Sequence, residues 1–409
     1  MRTIRSILIS LLTLALVACT AGSATPASGR PRATPTWPLA TMAPMQGPTL
    51  ALVNGTLIDG TGADPLPDAV LLIVQGRVMN HGPRSRVKIP AEATVIDVGG
   101  GTMLPGLINA HVHGGYDAGR LQAWAQAGVT TVRDLGALPR EDLFADRNAL
   151  RGDVHNARLV AAGPFITVPD GYPIVPWGSK ALTVTSVAEA EATTNRLLDD
   201  GADVVKISLE SGGTFGRKIP VLSTEEAETI VRVAHERGTR VSAHITGVSD
   251  VPRCLDAGVD DIAHMPGDYL YDKFIAAAVQ AGVTWVPTLE LWHVVPLGER
   301  QAVDNLRRFV AAGGVVAMGT DYGGYDAEFD LGLPVHELEF MQEAGMTPMQ
   351  IIVAATRTAA YVCNLGRELG TLEVGKIADV LVVNGDPLQD IHALADVRLV
   401  IHNGQVIRR

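Results

Sequence analysis

A short pattern recurs along the middle of the chain: a helix-like segment ends at a glycine, and an apolar run of strand-forming residues follows at once. The glycines are Gly128, Gly201, Gly238, Gly258, Gly282 and Gly313. Because glycine readily adopts the left-handed conformation that ends a helix, each of these positions predicts a helix end followed by a strand. Adding the strand-like runs at 104–112 and 158–162 gives eight units over roughly 260 residues, the size and period of a (β/α)8 barrel. The sequence therefore predicts an α/β fold in which residues 104–365 form a (β/α)8 TIM barrel.

A doubly wound open sheet is the main competing architecture for such alternating units. The dinucleotide-binding members of that class carry Gly-x-Gly-x-x-Gly after the first strand. No such motif follows residues 104–112 in this chain. The barrel is favoured for this reason.

The two ends of the predicted barrel are flanked by segments of a different character. Short β-branched runs separated by Gly, Asn and Pro lie between residues 51 and 97 and again between residues 378 and 407. Runs of this kind are typical of antiparallel strands. We therefore expect residues 49–103 and 366–409 to form one small composite β-sandwich, with the barrel inserted between them.

The first residues have the order of a secretory signal. Arg2 and Arg5 precede an apolar run that is too short for a lasting transmembrane helix, so 1–18 is predicted to be a signal peptide. The run ends in Leu-Val-Ala-Cys19, which resembles the lipobox of bacterial lipoproteins, although a plain signal peptide remains the alternative. Residues 19–48 are rich in Pro, Thr and Ala and indicate a loose linker. We expect an exported protein of the bacterial cell envelope, held at the membrane by lipid on Cys19.

Composition excludes several classes of partner and scaffold. The formal net charge is −11, from 33 Lys and Arg against 44 Asp and Glu, which argues against nucleic-acid binding because phosphates require a basic face. Three cysteines cannot build a disulfide framework. The expected partners are a small-molecule substrate and, through the lipid anchor, a membrane.

Ionisable side chains cluster where the predicted barrel strands end. Active sites of such barrels lie at the carboxyl ends of the strands. Residues two apart on a strand face the same side, so His111 and His113 are expected to point together. One such side chain alone would have an ordinary structural explanation, but their joint placement favours a metal site. The candidate ligands are His111, His113, Lys206, His244, His264 and Asp321, and we interpret the remaining histidines as structural.

At this point four segments resemble the amidohydrolase superfamily: 106–113, 132–136, 319–321 and 375–383. Segments 132–136 and 206–213 are most similar to its imidazolonepropionase-like branch, which includes Xaa-Pro dipeptidases. The resemblance extends over residues 50–409. It implies a binuclear metal-dependent hydrolase, with a barrel closed by a composite β-sandwich.

The resemblance also implies a role for each ligand. His111, His113 and Asp321 would bind the more buried of two divalent ions, His244 and His264 the more exposed one, and Lys206 would bridge both as a CO2-derived carbamate. A lysine suits this role because burial beside cations favours the neutral amine, which is the form that reacts with CO2. Nitrogen and oxygen ligands without thiolate are typical of zinc. A metal-bridged hydroxide would attack the carbonyl, and Asp321 would act as general base and then as general acid.

Residues that would recognise the substrate are less well marked. Many relatives carry Gly-Gly-His where this chain has Asp170-Gly-Tyr172. Tyr172 either binds a substrate carboxylate or packs on Trp177 as an ordinary loop residue. Glu290, Trp292 and His293 are placed to line the pocket after the seventh strand, where His293 either orients the substrate or has only a loop role. Arg133 and Asp134 form either a buried pair at the barrel rim or a substrate contact, and Glu210 either supports the ligands or faces solvent.

The sequence thus predicts hydrolysis of a C–N bond, of the amide or peptide type, in a small substrate such as a dipeptide or an N-acyl amino acid. A deaminase or cyclic-amide hydrolase on the same scaffold is the alternative. A lipoprotein whose barrel binds without catalysing is a further one.

Overall fold

The computed structural model describes residues 47–295, 298–324 and 328–409. The predicted signal peptide, Cys19 and nearly all of the predicted linker lie outside these ranges. The strands are β1 (Leu50–Leu57), β2 (Leu66–Val74), β3 (Arg77–Pro83), β4 (Thr94–Asp97), β5 (Thr102–Pro105), β6 (Leu107–Val112), β7 (Val129–Asp134), β8 (Arg158–Ala161), β9 (Ile166–Thr167), β10 (Leu182–Thr183), β11 (Val205–Ser208), β12 (Val241–His244), β13 (Asp261–Ala263), β14 (Thr284–Val286), β15 (Val315–Val316), β16 (Val380–Val383), β17 (Val397–His402) and β18 (Gln405–Arg408).

The α-helices of the same ranges are α1 (Ala118–Gln126), α2 (Leu143–Arg151), α3 (Ile174–Trp177), α4 (Val187–Asp199), α5 (Thr224–Glu236), α6 (Val251–Ala257), α7 (Asp272–Ala281), α8 (Leu289–Val294), α9 (Glu299–Ala311), α10 (Val335–Glu343), α11 (Pro348–Val353) and α12 (Ala359–Val362), with a π-helical turn, Ala354–Thr358, between the last two. Within the part of the chain described here, no helix combines the length and apolar character that crossing a membrane requires.

The middle of the chain forms the predicted barrel of parallel strands alternating with helices. Its strands follow the order β6, β7, β8, β11, β12, β13, β14, β15 and lie in two ladders, one of β6–β7–β8 and one that runs from β10 through β9 and β11 to β15. The chain leaving β8 joins the ladders, since β9 pairs with β11 through Ile166 and Ile207. On the other side, the amide of Ala110 in β6 donates to the Met318 carbonyl just beyond β15, at 2.9 Å. Most of these strands are buried on both faces, which accounts for their continuous apolar runs.

The six glycines of the repeating pattern end or follow helices as predicted. Their φ angles are all positive, from 67° at Gly282 to 111° at Gly201, a conformation that side chains other than glycine rarely adopt. Capping boxes begin α5, through Ser223 and Glu226, and α11, through Thr347 and Gln350. The helix boundaries of the barrel are therefore encoded locally.

Both flanking segments contribute to one eight-stranded sheet, in the order β18-β17-β16-β5-β1-β2-β3 with β4 added to β1. β5 lies between strands from the two ends of the chain, pairing with β1 on one side and β16 on the other. The expectation of antiparallel pairing is confirmed for β1 with β2 but is wrong for β1 with β4 and with β5, to which it runs parallel. The reason is connectivity: β1 and β3 finish at the same end of the sheet, and the connection of residues 84–93 carries the chain back to the end where β1 starts before β4 begins.

The predicted strand at 104–112 is two strands in two different sheets. β5 ends at Pro105 in the composite sheet, and β6 begins at Leu107 in the barrel, so the chain changes sheets at Gly106. A Cβ atom at this position would collide with the side chain of Thr130, so the crossing requires glycine. The sequence pattern does not show where the chain passes from one sheet to the other, because both strands are buried and together form one continuous apolar run.

A buried ion pair joins the composite sheet to the barrel. Arg158 of β8 donates to Asp379 Oδ2 at 2.7 Å and to Thr131 Oγ1 at 2.9 Å. Asp379, just before β16, also accepts the backbone amide of Asn403 at 2.7 Å. Burial alone would raise the pKa of Asp379, but the charges of Arg158 and His402 outweigh it and lower the pKa.

Candidate metal centre

The six candidate ligands lie at the carboxyl-terminal side of the barrel strands. His111 is in β6 and His113 directly follows that strand, His244 ends β12, and His264 directly follows β13. All are buried except His113, which is partly exposed.

Asp321 contacts both histidines of the first barrel strand. Its Oδ1 lies 3.1 Å from His111 Nε2 and 3.0 Å from His113 Nε2. Burial alone would raise the pKa of Asp321, but these two histidines stabilise the carboxylate and hold the pKa well below its usual range. His113 Nδ1 lies 3.2 Å from the carbonyl oxygen of Gly136, an arrangement that keeps Nε2 directed at Asp321. The three side chains form a compact N,N,O donor set.

A second pair of histidines lies against this first group. His264 Nε2 is 2.9 Å from His244 Nδ1, and the ring centroids of His264 and His111 are 5.0 Å apart. The other nitrogen of His264 is 2.8 Å from Thr288 Oγ1. Burial lowers the pKa of His264 to about 3, so the ring is neutral at physiological pH, the form that ligates metal.

Lys206 projects from β11 into the same interior. Its side chain is fully buried, and its Nζ has a long contact of 3.5 Å with Ser242 Oγ. Burial lowers its pKa to about 7, with Arg133 adding to the effect and Asp261 opposing it. A substantial fraction of the amine is therefore neutral near physiological pH. The positive form repels cations nearby, since it lowers the pKa of both His111 and His244.

Several donor atoms of this cluster are buried without a hydrogen bond. Within the described ranges these include both ring nitrogens of His111, Nε2 of His244 and Oδ1 of Asp321. Leaving one such atom unsatisfied costs about 1–3 kcal/mol, so a group of them requires an explanation. Candidate ligand atoms of His111, His264 and Asp321 lie within 4.8 Å of one another, close enough for one ion to reach all three. These nitrogen and oxygen donors fit a divalent ion such as zinc.

Two of the candidate ligands have strained backbones. His264 has a φ of 70° and Asp321 a φ of 64°, in the left-handed region that costs a non-glycine residue roughly 1–2 kcal/mol. Strain of this kind persists where the surroundings enforce it, and it is concentrated at functional sites. The strained backbone at His264 and Asp321 therefore fixes the positions of these two side chains and lowers local stability.

Close contact between the first and last barrel strands brings Asp321 to His111. A Cβ at Gly319 would lie 2.8 Å from the His111 backbone nitrogen, so the approach requires glycine. Asn109 supports the same junction, since its Nδ2 donates to Thr320 Oγ1 at 3.0 Å and its Oδ1 accepts the amide of His111 at 3.2 Å.

Arg133 and Asp134 do not pair with each other. The Arg133 guanidinium is fully buried and binds Asp261 with two hydrogen bonds, of 2.8 and 2.9 Å. Asp134 instead accepts the amides of Gly115 and Gly136, at 2.8 and 3.0 Å, and so fixes the loops around His113. Both therefore stabilise the barrel end, and the pair predicted from the sequence is replaced by one with Asp261.

Glu210 is buried and does not face solvent. Its Oε2 accepts both the amide and the hydroxyl of Thr246, at 2.7 and 2.6 Å, and its Oε1 accepts the Gly212 amide at 2.6 Å. It thereby ties the segment after β11 to the segment after β12. Of its two predicted roles, support of the ligand-bearing loops is the one that this geometry fits.

The histidines open into a cavity of about 220 Å3. Tyr172 forms part of its wall and stacks on His244, with ring centroids 3.9 Å apart and an interplanar angle of 10°. Lys180 is the only lysine or arginine among the described residues that line the cavity. The cavity thus joins the candidate ligands to an aromatic ring and a cation.

The prediction that His293 lines this cavity is wrong. The side chain is 46 % exposed, its Nδ1 is 2.9 Å from Glu299 Oε2, and its ring stacks on His336. The short helix α8 carries it away from the barrel mouth, while the same helix buries Trp292, whose Nε1 donates to the Met265 carbonyl. Glu290 is also buried outside the cavity lining.

Sequence reasoning missed Thr288, Asp261 and Lys180. Thr288 follows β14 and could have been found by the same strand-end rule that gave the histidines. Asp261 lies 128 positions from Arg133, and no local pattern marks that pairing. Lys180 follows the long loop after β8, where no periodicity predicts which side chains face the cavity.

Fold and cluster together define a class, that of barrel hydrolases that use divalent metal ions. Residues 102–407 match the Amidohydrolase family, and the chain belongs to this family. The superfamily resemblance predicted from the sequence is confirmed.

Similar proteins include a dipeptidase, an ochratoxinase and a deaminase. A solved Xaa-Pro dipeptidase with methionine bound in its active site is 25% identical, with a TM-score of 0.77 over 88% of this chain and 100% of that chain. Ochratoxinase from Aspergillus niger is 25% identical over 85% of this chain and 84% of its own. Adenine deaminase from Chelativorans sp. (strain BNC1) is 25% identical over 93% of this chain and 61% of its own. The chain is therefore an enzyme, a hydrolase that acts on C–N bonds.

Proposed function

We propose that this enzyme hydrolyses an amide or peptide bond in a small substrate, a dipeptide or an N-acyl amino acid, at a centre of two zinc ions. The observation that carries the proposal is the group of buried, unbonded donor atoms on His111, His244 and Asp321. Their position at the carboxyl ends of barrel strands, beside a small cavity, supports a catalytic role over a structural one.

Each ion would have its own protein ligands. His111, His113 and Asp321 would hold one, and His244 and His264 the other. Lys206, once carboxylated by CO2, would offer both ions an anionic oxygen. When bound, such ions lower the pKa of a water and polarise the substrate carbonyl.

Asp321 would transfer the proton from the attacking water to the departing nitrogen. Its carboxylate is ionised and lies between two histidines, so it can accept a proton from the attacking water. Delivery of that proton to the departing nitrogen then completes cleavage of the C–N bond. Tyr172, packed on His244, would limit access to this side of the site and orient the substrate.

The cavity lining supports a substrate with a free carboxylate. Lys180 would pair with that group at the mouth, while Tyr172 and Phe165 present aromatic surface to the side chain of the substrate. A volume of about 220 Å3 fits a small molecule rather than a protein.

Deamination is the second candidate, supported by the similarity to adenine deaminase. Lys206 favours the first candidate, because a bridging carbamate is needed only where two ions share the site. The metal content of the barrel centre separates the two: about two equivalents bound by the barrel ligands support the amide hydrolase, and one supports a deaminase. Absence of bound metal would contradict both.

The direct test is a substrate panel on zinc-loaded protein of residues 20–409. Xaa-Pro and Xaa-hydrophobic dipeptides, N-acyl amino acids and adenine are compared by release of amine or ammonia. We expect turnover of one of the first three classes and no release of ammonia from adenine. Turnover of adenine alone would overturn the proposal.

We further propose that the enzyme is exported and anchored at the cell envelope by lipid on Cys19. The lipobox-like segment and the proline-rich linker support this location. Labelling with a radioactive fatty acid in a bacterial host should mark the protein, and Cys19→Ser should abolish the label. Equal labelling of the variant would exclude the anchor.

A further inference from the structure

A second group of carboxylates and imidazole lies outside the barrel centre, where α8 meets α10. Glu290 in α8, Asp330 before α10 and His336 in its first turn offer ligand atoms within 4.8 Å of one another. Glu290 is 1% exposed, whereas the side chains of Asp330 and His336 are 26% and 47% exposed. The group therefore has a buried floor and an open side, through which an ion can enter.

Hydrogen bonds account for only part of this group. Glu290 Oε1 accepts the Asp330 amide, and Asp330 Oδ2 accepts the His336 amide at 3.0 Å and so caps α10. Glu290 Oε2 is buried and has no hydrogen-bond partner within the described residues, and the same holds for Oε1 of the neighbouring Glu337. The second oxygen of Glu337 accepts the Glu290 amide at 2.8 Å.

The carboxyl groups of this cluster have no lysine or arginine partner in the described part of the chain. Within the described ranges, none of Glu290, Asp330 and Glu337 has a hydrogen bond or ion pair with a lysine or arginine. Buried carboxylates without a cation are costly, and they resolve the cost by taking up protons or by binding a metal. Burial does raise the pKa of Glu290 and of Glu337 to about 8 in the protein without metal.

We propose that Glu290, Asp330 and His336 form a third divalent-metal site, separate from the barrel centre and suited to zinc. Two carboxylate oxygens and one imidazole nitrogen make a zinc ligand set that leaves a coordination position for water. The histidine Nδ1, 3.1 Å from Asp330 Oδ2, already faces the carboxylate with which it would share the ion.

Position in the fold suggests what this ion would do. Thr288, two residues before Glu290, holds His264 through the 2.8 Å contact with Nδ1. Asp330 lies on the segment that follows Asp321 and the cavity-lining Gly324. An ion shared by Glu290, Asp330 and His336 would therefore fasten together the segments that follow the neighbouring strands β14 and β15, of which one supports His264 and the other carries Asp321.

Zinc counting tests the site directly. The full chain is stripped with a chelator, equilibrated with ZnCl2 and freed of unbound metal, and zinc per chain is measured. We expect His336→Ala and Asp330→Asn each to hold one equivalent fewer than the unmodified protein. His392→Ala is the matched control, because His392 also lies between two carboxylates, Asp390 and Glu339, at 2.8 Å each, with both ring nitrogens occupied. It should keep the full count.

Glu290→Gln distinguishes a metal ligand from a structural carboxyl. Without metal, the amide resembles the protonated carboxyl and should leave the thermal unfolding midpoint unchanged. With zinc, the variant should lack one equivalent and show a smaller rise in midpoint than the unmodified protein. Equal zinc in the unmodified protein, His336→Ala and Asp330→Asn would overturn the inference and leave protonation as the explanation. Because the readout is a difference between variants, it does not depend on how many ions the barrel centre holds.

Discussion

At the residue scale, Asp321 combines three properties that rarely occur together. It has a left-handed backbone, a carboxylate oxygen shared between two imidazoles, and nearly complete burial. The backbone strain and the burial both cost free energy, so the surrounding structure must hold Asp321 in this position. A residue held at such a cost is more consistent with a catalytic role than with a packing role.

We predict that Asp321→Asn lowers kcat by about 10²–10⁴-fold, the usual contribution of a proton-transfer group. Asparagine keeps the shape of the side chain but cannot take up the proton. The measurement is steady-state turnover of the best substrate, with circular dichroism to establish that the variant is folded. Turnover within a few fold of the unmodified enzyme would place the proton shuttle elsewhere.

Lys206→Met should remove the bridge between the two ions while keeping the aliphatic part of the side chain packed in the barrel. We expect the variant to hold at least one equivalent of zinc fewer than the unmodified protein, and activity to fall by at least about 100-fold. The unmodified apoenzyme reconstituted with zinc in CO2-free buffer should have low activity, because the carbamate needs CO2. Added bicarbonate should restore that activity. A fully active, doubly loaded methionine variant would contradict the carbamate.

Lys180→Ala should raise KM for substrates with a free carboxylate and leave kcat nearly unchanged, because the lysine is an exposed residue of the cavity lining and is not one of the candidate ligands. Substrates with an amidated carboxyl terminus should be unaffected. Lys88→Ala, at an exposed lysine in the connection between β3 and β4, is the matched control. Equal KM values for both substrate types in the Lys180 variant would rule out this contact.

The candidate ligands could be predicted because each lies in a recognisable strand or soon after one, and the barrel rule places all strand ends together. Their supporting partners could not. The sequence marks Asp261 only as part of a strand, and the direction of His293 depends on how a six-residue helix turns after β14. Side-chain partners distant in sequence follow from tertiary packing, which leaves no local signal.

At the element scale, β7 and β13 are held across the barrel interior by Arg133 and Asp261, which are both fully buried. Arg133 also binds the carbonyl oxygens of Ala110 and Val362, at 2.6 and 2.9 Å, and so reaches β6 and the end of α12. One guanidinium thus joins strands that are not neighbours.

Asp261→Asn should lower the free energy of unfolding by about 3–5 kcal/mol, since it leaves the guanidinium of Arg133 buried without a counter-charge. Urea denaturation measures the change. Glu236→Gln serves as control: it removes the 3.0 Å contact of Glu236 with Arg232 on an exposed helix surface and should cost about 1 kcal/mol or less. Similar losses for the two variants would contradict a special role for the buried pair.

Element type was predicted better than element pairing. The glycine pattern located the helix ends because the positive φ that ends a helix is needed at a single residue, where it favours glycine. The sequence did not predict the break at Gly106 or the parallel pairing of β1 with β5. An apolar run indicates that a strand is buried, but it does not indicate which sheet the strand joins.

At the scale of the whole molecule, Arg158 and Asp379 join the two sheets. Asp379→Asn should lower the free energy of unfolding by about 3–5 kcal/mol at neutral pH. Because the folded protein lowers the pKa of Asp379 below 3.8, this stabilisation is complete above that pH and is lost as the pH falls through the folded pKa. The difference between variant and unmodified protein should therefore shrink in acid.

Urea titrations at several pH values measure that difference. Asp199→Asn is the control, because Asp199 is exposed and its pair with Arg237, at 2.7 Å, lies on the outer surface. A constant difference from neutral to acidic pH would show that Asp379 acts through shape and not through charge.

The interleaving of both chain ends in one sheet has a consequence for how this protein is made. β5 is fully buried between β1 and β16, yet β16 leaves the ribosome only after the whole barrel has been synthesised. Until then the nascent chain presents Met103 and Leu104 on an open strand edge, a surface prone to wrong association. The enzyme thus depends on strands that are translated after the barrel for solubility during biogenesis, and a product terminated before them would be a natural client of chaperones.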